Sequence, residues 1–252
     1  MSAKPPTPPA EIRALTEARL TFGRRGSAVD TAGALAFALD HARARAAVEA
    51  ELDLPTLAAA LDRMGLAHRV VTSAAGDRSG FIRRPDLGRR LREDGAATLA
   101  GLGPVDVALV LGDGLSATAV ALNGAAFVAD LAARLDRMCL RLSPVILARQ
   151  ARVALGDKIA LALQATTVVM ALGERPGLSA ADSLGVYITH LPRPDTADSG
   201  RNCISNIREA GLPVTEAAGQ AAQLIAAMRA SGQSGVALSR ALASGALPPA
   251  RP

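Results

Sequence analysis

One apolar block organises the pattern of the chain: Thr167-Val168-Val169-Met170-Ala171-Leu172, β-branched at its start and closed by Gly173. A short continuous run of this kind, bounded by a glycine, predicts a strand buried on both faces. It delivers Glu174 and Arg175 side by side before Pro176-Gly177. In open α/β sheets ligands bind beyond the C-terminal strand ends, so this carboxylate and guanidinium are candidate site groups. The competing reading is a rim ion pair that only neutralises itself. A second buried strand is expected over 105–111, followed by the turn Gly112-Asp113-Gly114. Shorter strands are expected over 68–73, 144–147, 153–155 and 184–190.

Between the strands the period lengthens to that of helices. Leu35, Leu39, Ala42 and Ala46 predict a helix over 31–51. Leu54-Pro55-Thr56 opens the next, with Leu57, Leu61 and Met64 as its buried face and Gly65 as its end. Ser116 begins a helix of small residues, and Phe127, Leu131, Leu135 and Met138 mark a further one. Gly156-Asp157 starts a helix to Gln164, and a long helix runs from a Thr215 cap to Gly232. The segment 192–202 reads as a polar loop. Strands alternating with helices imply an α/β fold, with a mostly parallel, Rossmann-like open sheet covered by helices on both faces. A helical N-terminal region over 20–100 precedes the α/β domain over 101–252, and 1–19 forms a disordered or extended tail.

Composition narrows the function classes. Half of the 252 residues are hydrophobic, so the chain can bury a sizeable core. Aromatics make up only 2%, which argues against single-stranded nucleic-acid binding by base stacking. The net charge of +5 is carried almost wholly by arginine and permits phosphate binding without requiring it. Cys139 and Cys203 do not make a disulfide framework. No secretory signal and no membrane-spanning apolar run are read, and the expectation is a cytoplasmic protein with no nucleic-acid or membrane partner.

The candidate chemistry is sparse. Gly112-Asp113-Gly114-Leu115-Ser116 has the order strand, glycine turn, helix start, but lacks the spaced glycines or lysine of a nucleotide loop, and Ser116 reads as a helix cap. Gly23-Arg24-Arg25-Gly26 is either an anion-binding loop or a plain turn. The segment 78–92 holds six arginines and one aspartate with no nucleic-acid reader motif beside it, and reads as a contact surface between subunits or a solvated face. A Cys203 nucleophile with His190 lacks an orienting carboxylate, and the cysteines and histidines lack zinc-ligand spacing.

Five segments together resemble the small (light) subunit of ethanolamine ammonia-lyase. They are Gly173-Glu174-Arg175-Pro176-Gly177-Leu178-Ser179, Arg201-Asn202-Cys203-Ile204-Ser205-Asn206-Ile207, and the runs at 106–118, 147–157 and 83–90. The resemblance covers roughly 20–238 and departs from the family at Ala46, where an aspartate is usual. It implies a subunit of a lyase that converts ethanolamine to acetaldehyde and ammonia by radical chemistry with adenosylcobalamin. It implies a large barrel subunit as partner, and cobalamin contacts from Val153, Glu174 and Cys203, with no catalytic group or metal ligand from this chain. Family members often reside in a bacterial microcompartment. A stand-alone α/β binding or interaction protein without lyase activity is the open alternative.

Overall fold

The computed structural model of the chain describes residues 29–244, together with 11, 12, 14 and 15. Of the expected tail over 1–19 only residues 11, 12, 14 and 15 are described, and the Gly23-Arg24-Arg25-Gly26 loop lies outside the described residues.

The architecture follows from two strands buried at every position. These are β2 (Val107–Gly112) and β4 (Thr167–Gly173), which pair in parallel from Val107 opposite Thr167 to Gly112 opposite Leu172. With both faces covered, neither strand needs polar alternation, which is why the sequence shows continuous apolar runs. On the other side of β2 lie β3 (Val145–Arg149) and then β1 (His68–Thr72), both parallel to it. Beyond β4 the direction alternates: β5 (Leu184–His190) is antiparallel to β4, and β6 (Asn202–Ile207) is antiparallel to β5. The sheet order is therefore β1-β3-β2-β4-β5-β6. The edge strand β1 comes from within the first hundred residues.

Side chains of the central strands alternate between two cores. Leu109, Leu111, Val169 and Ala171 face a layer built from α2 (Leu54–Arg63), α5 (Ala117–Arg137), α7 (Val214–Ser231) and α8 (Gly235–Ala243). Ala108, Val110, Val168 and Met170 face the opposite layer, where Leu99 of α4 (Glu93–Leu99) and Leu155 and Ile159 of α6 (Leu155–Ala162) pack. Two helices remain. α3 (Arg78–Arg83) is capped by Asp77, and α1 (Thr31–Glu49) is capped by Asp30. α1 buries only Ala47, and its Leu35, Phe37 and Leu39 are exposed.

Several expectations are corrected. Small residues over 117–126 do not interrupt a helix, since alanine is the best helix former, so 117–137 is one helix and not two. Its length and mean hydropathy would suffice to cross a membrane, contrary to the sequence reading, but Val120, Phe127, Leu131 and Leu135 are fully buried in the core against the sheet. The run 153–155 is not a strand: Val153 and Ala154 form the turn into α6. The polar loop ends at β6, whose polar side chains are tolerated because it is an edge strand. Met64 is exposed and not core. Thr215 is no cap, because α7 begins at Val214 behind Pro213, whereas Gly232 closes it in the left-handed conformation at φ 67° as expected.

Candidate functional site

The ends of β2 and β4 meet almost backbone to backbone. A Cβ on Gly114, where φ is 56°, would lie 2.1 Å from the Gly173 carbonyl oxygen. One on Gly173 would lie 1.9 Å from that of Ser116. Only glycine fits at either place. The contact is sealed by the Leu115 N–H, which donates to the Gly173 carbonyl at 2.9 Å. Ser116 caps α5 by accepting from the Ala119 N–H at 3.2 Å, and its hydroxyl donates to the Ala181 carbonyl at 2.6 Å.

Asp113 fixes the neighbouring turn. Its two oxygens accept from the Gln150 N–H at 2.8 Å and the Ala151 N–H at 2.9 Å, just where Gln150 takes a left-handed φ of 53°. Arg78 stands 3.7 Å away. Burial pushes the Asp113 carboxyl above its ordinary value, against the pull of the two N–H groups and of Arg78. Arg78 itself is tied to the Val48 carbonyl at 2.7 Å and the Gly114 carbonyl at 2.8 Å, so it is buried and no part of a surface patch.

These turns frame a cavity of about 430 Å³. Val153 and Leu115 supply apolar wall, Leu172 and Tyr187 close it, and Glu174, Arg152 and Arg175 bring charge. Two residues singled out in the sequence, Val153 and Glu174, thus share one cavity. Cys203 joins through Tyr187, its register partner across β5 and β6. Burial raises the Cys203 thiol, with the Tyr187 hydroxyl opposing and the charge of Glu174 adding. Burial likewise raises the Tyr187 hydroxyl, with Cys203 and Glu174 adding. Both groups therefore keep their protons at neutral pH.

Glu174 is positioned through one oxygen. Oε2 accepts from the Ser183 hydroxyl at 2.5 Å and from the Asn206 N–H at 3.4 Å. Oε1 accepts no bond among the described residues. The rim ion pair does not form, because Arg175 pairs with no carboxylate among the described residues. The Cys203–His190 pair does not form either: the His190 Nδ1 shares a hydrogen bond with the Thr167 hydroxyl at 2.9 Å, and burial lowers its pKa.

Sequence reasoning missed Tyr187, Ser183 and Arg152. The chain has one tyrosine, which lies within the expected strand over 184–190, and that strand is buried at nearly every position, so no alternation singles Tyr187 out. Ser183 and Arg152 carry no local signature, since their roles arise from contacts across the fold.

Comparison with known proteins assigns the family. Residues 6–239 match the ethanolamine ammonia-lyase light chain family. An ethanolamine ammonia-lyase small subunit of Bradyrhizobium diazoefficiens is 47% identical over 239 residues, 94% of this chain and 92% of that protein. Those of Rhodopseudomonas palustris and Xanthomonas campestris pv. campestris are each 46% identical, over 90% and 84% of this chain and 88% and 82% of their own lengths. With the match running through every element of the sheet and through the cavity walls, the chain belongs to the ethanolamine ammonia-lyase light chain family.

Proposed function

We propose that this chain is the small subunit of an adenosylcobalamin-dependent ethanolamine ammonia-lyase. In this reading its cavity holds one edge of the cobalamin at the contact with a large barrel subunit, and the complex converts ethanolamine to acetaldehyde and ammonia. The observation that carries the reading is the cavity itself. Val153 and Glu174 line it together, and Cys203 reaches it through Tyr187. The residues suit such a group. Val153, Leu115 and Leu172 offer apolar contact to a broad ring, and the free Oε1 of Glu174 is an acceptor for an amide N–H on its rim. The neutral thiol of Cys203 is small enough to let the edge strand lie close.

Nothing in this arrangement calls for proton chemistry from the chain. When bound, the cofactor supplies the radical that starts the reaction. Val153 and Glu174 bind and orient, and the closed turn at Gly114 and Gly173 keeps water from that edge. A partner also suits α1, which is almost wholly exposed yet carries Leu35, Phe37 and Leu39. The cytoplasm, with or without a microcompartment shell, is the proposed setting.

The test is co-expression with a large subunit, followed by cobalamin titration and an ethanolamine deamination assay. The reading expects a stable complex, saturable cofactor binding and turnover, with no turnover by either chain alone. A chain that forms no complex with the large subunit would leave the stand-alone interaction protein as the better account.

A further inference from the structure

Among the described residues no carboxylate pairs with the positive side of the cavity. Arg152 and Arg175 line it, and Arg78 and Arg89 lie near enough to act on Arg152. The Arg152 guanidinium lies 4.3 Å over the Phe81 ring, and its Nη2 reaches the Phe81 carbonyl only at 3.5 Å. Its Nε is buried with no hydrogen-bond partner. Nη2 of Arg78, whose guanidinium also lies over the Phe81 ring, is buried and unpartnered as well. Neither nearby carboxylate forms an ion pair with Arg152 or Arg175 among the described residues. Asp113 serves the Gln150 and Ala151 N–H groups, and Glu174 serves Ser183 and Asn206. Burial lowers the pKa of Arg152, and Arg78, Arg89 and Arg175 lower it further against the opposing pull of Asp113. A half-buried guanidinium with an unmet donor, beside other cations, is costly until an anion joins it.

We infer that Arg152 and Arg175 form an anion subsite on the rim of this cavity, built for a phosphodiester. The arginine fork suits phosphate oxygens, and a phosphodiester keeps its charge at every working pH. Resting on the cobalamin reading, the occupant is the phosphodiester of the cofactor's nucleotide loop. The same cavity then sorts the cofactor by region: Glu174 takes the amide rim of the ring, and the two arginines take the phosphate.

The test uses the co-expressed complex with two probes, hydroxocobalamin and cobinamide, the second having the same ring without the phosphodiester and base. Binding is followed by visible absorbance at several salt concentrations, for the wild type, Arg152→Gln and Arg175→Gln. Each variant is expected to weaken hydroxocobalamin by about tenfold, to flatten its salt dependence, and to leave cobinamide unchanged. Equal weakening of both probes, or of neither, overturns the subsite while the cobalamin reading stands. Binding of neither probe by the wild type removes the cobalamin reading instead. Inorganic phosphate then decides the subsite, through stabilisation against heat beyond that given by chloride at equal ionic strength. Stabilisation lost in both variants supports the subsite with another phosphate as occupant, and its absence overturns it. Arg175 is exposed, so Arg175→Gln keeps the test open if Arg152→Gln fails to fold.

Discussion

Arg201 grips both oxygens of Asp157, Nη1 to Oδ1 at 2.6 Å and Nη2 to Oδ2 at 2.8 Å, with the two side chains 4% and 3% exposed. The same guanidinium donates to the Thr189 hydroxyl at 3.1 Å and to the Thr196 carbonyl at 2.9 Å. Asp157 lies four residues after Val153, and Arg201 two before Cys203. One ion pair therefore ties together the segments that carry two of the proposed contact residues. Removing one partner strands a buried charge, so Arg201→Met should cost about 3–5 kcal/mol in urea unfolding. The double variant Arg201→Met/Asp157→Leu should recover much of that loss, because the pair gains little over apolar packing. A single variant within about 0.5 kcal/mol of wild type would show that the pair is not structural.

The approach of β4 to the α5 cap gives a second prediction. Gly173→Ala must push apart Gly173 and the Ser116 carbonyl, neither of which is on a flexible side chain. It should destabilise by about 1–3 kcal/mol or more. Gly177→Ala is the control, since the nearest atom lies 3.9 Å from the added carbon, and it should stay within about 0.5 kcal/mol. Thermal unfolding of both variants checks the difference. Equal effects would contradict the steric account.

How far the sequence reached follows from the reach of each signal. β2 and β4 were legible because burial on both faces writes a continuous apolar run. β6 was hidden, since an edge strand that carries Asn202, Ser205 and Asn206 has the composition of a loop. The run 153–155 misled because apolar residues in a turn resemble a short strand, and only the grip of Asp113 on Gln150 and Ala151 shows that the chain has already turned. Val153 and Cys203 came to this cavity only through family resemblance, whereas Glu174 was already a candidate from its place at the end of β4. Their common neighbour Tyr187 depends on the β5–β6 register, which no local pattern states.

The arginine-rich segment divides on inspection. Arg78 is buried, and Arg84 and Arg92 make ion pairs with Asp86 and Asp94. Arg83, Arg89 and Arg90 remain exposed, with Arg90 4.0 Å from Asp86. Replacing Arg83, Arg89 and Arg90 by Ser should weaken assembly with the large subunit and leave the fold intact, as read by size-exclusion chromatography and circular dichroism. Tight, salt-sensitive DNA or RNA binding by the wild type would point to a different use of this face.

Cys203 predicts a pH dependence with a definite sign. Although the residue is exposed on the edge strand, burial of its thiol raises the folded pKa. Between the unfolded thiol value of about 8.5 and the higher folded one, unfolding releases a proton, so stability falls as pH rises. Cys203→Ser does not titrate there. The stability difference between wild type and Cys203→Ser should therefore move in favour of the variant as pH rises above about 8. In a Cys139→Ser background, alkylation of Cys203 should show its midpoint above about 8.5. A midpoint below that value would refute the assigned shift.

Substitution of Glu174 separates the proposed cofactor contact from a role in the chemistry. The carboxylate is fixed through Oε2 by Ser183 and the Asn206 N–H, which leaves Oε1 free for the proposed cofactor amide. Glu174→Gln keeps the shape and one acceptor oxygen. If Ser183 and Asn206 hold that oxygen, the amide NH₂ of the new side chain meets the cofactor, donor against donor. The loss of one hydrogen bond, about 1.5 kcal/mol at the upper end, corresponds to about a tenfold rise in the apparent cobalamin constant. The turnover rate at saturating cofactor should change little, because only binding is touched. A catalytic acid or base would behave in the opposite way, with an unchanged cofactor constant and turnover lower by about 10²-fold or more. Ser183→Ala offers a check that spares the carboxylate: freed from its anchor, Glu174 should bind cobalamin less tightly, again with saturated turnover retained. Normal cobalamin affinity with collapsed turnover in Glu174→Gln would assign the residue to the reaction itself.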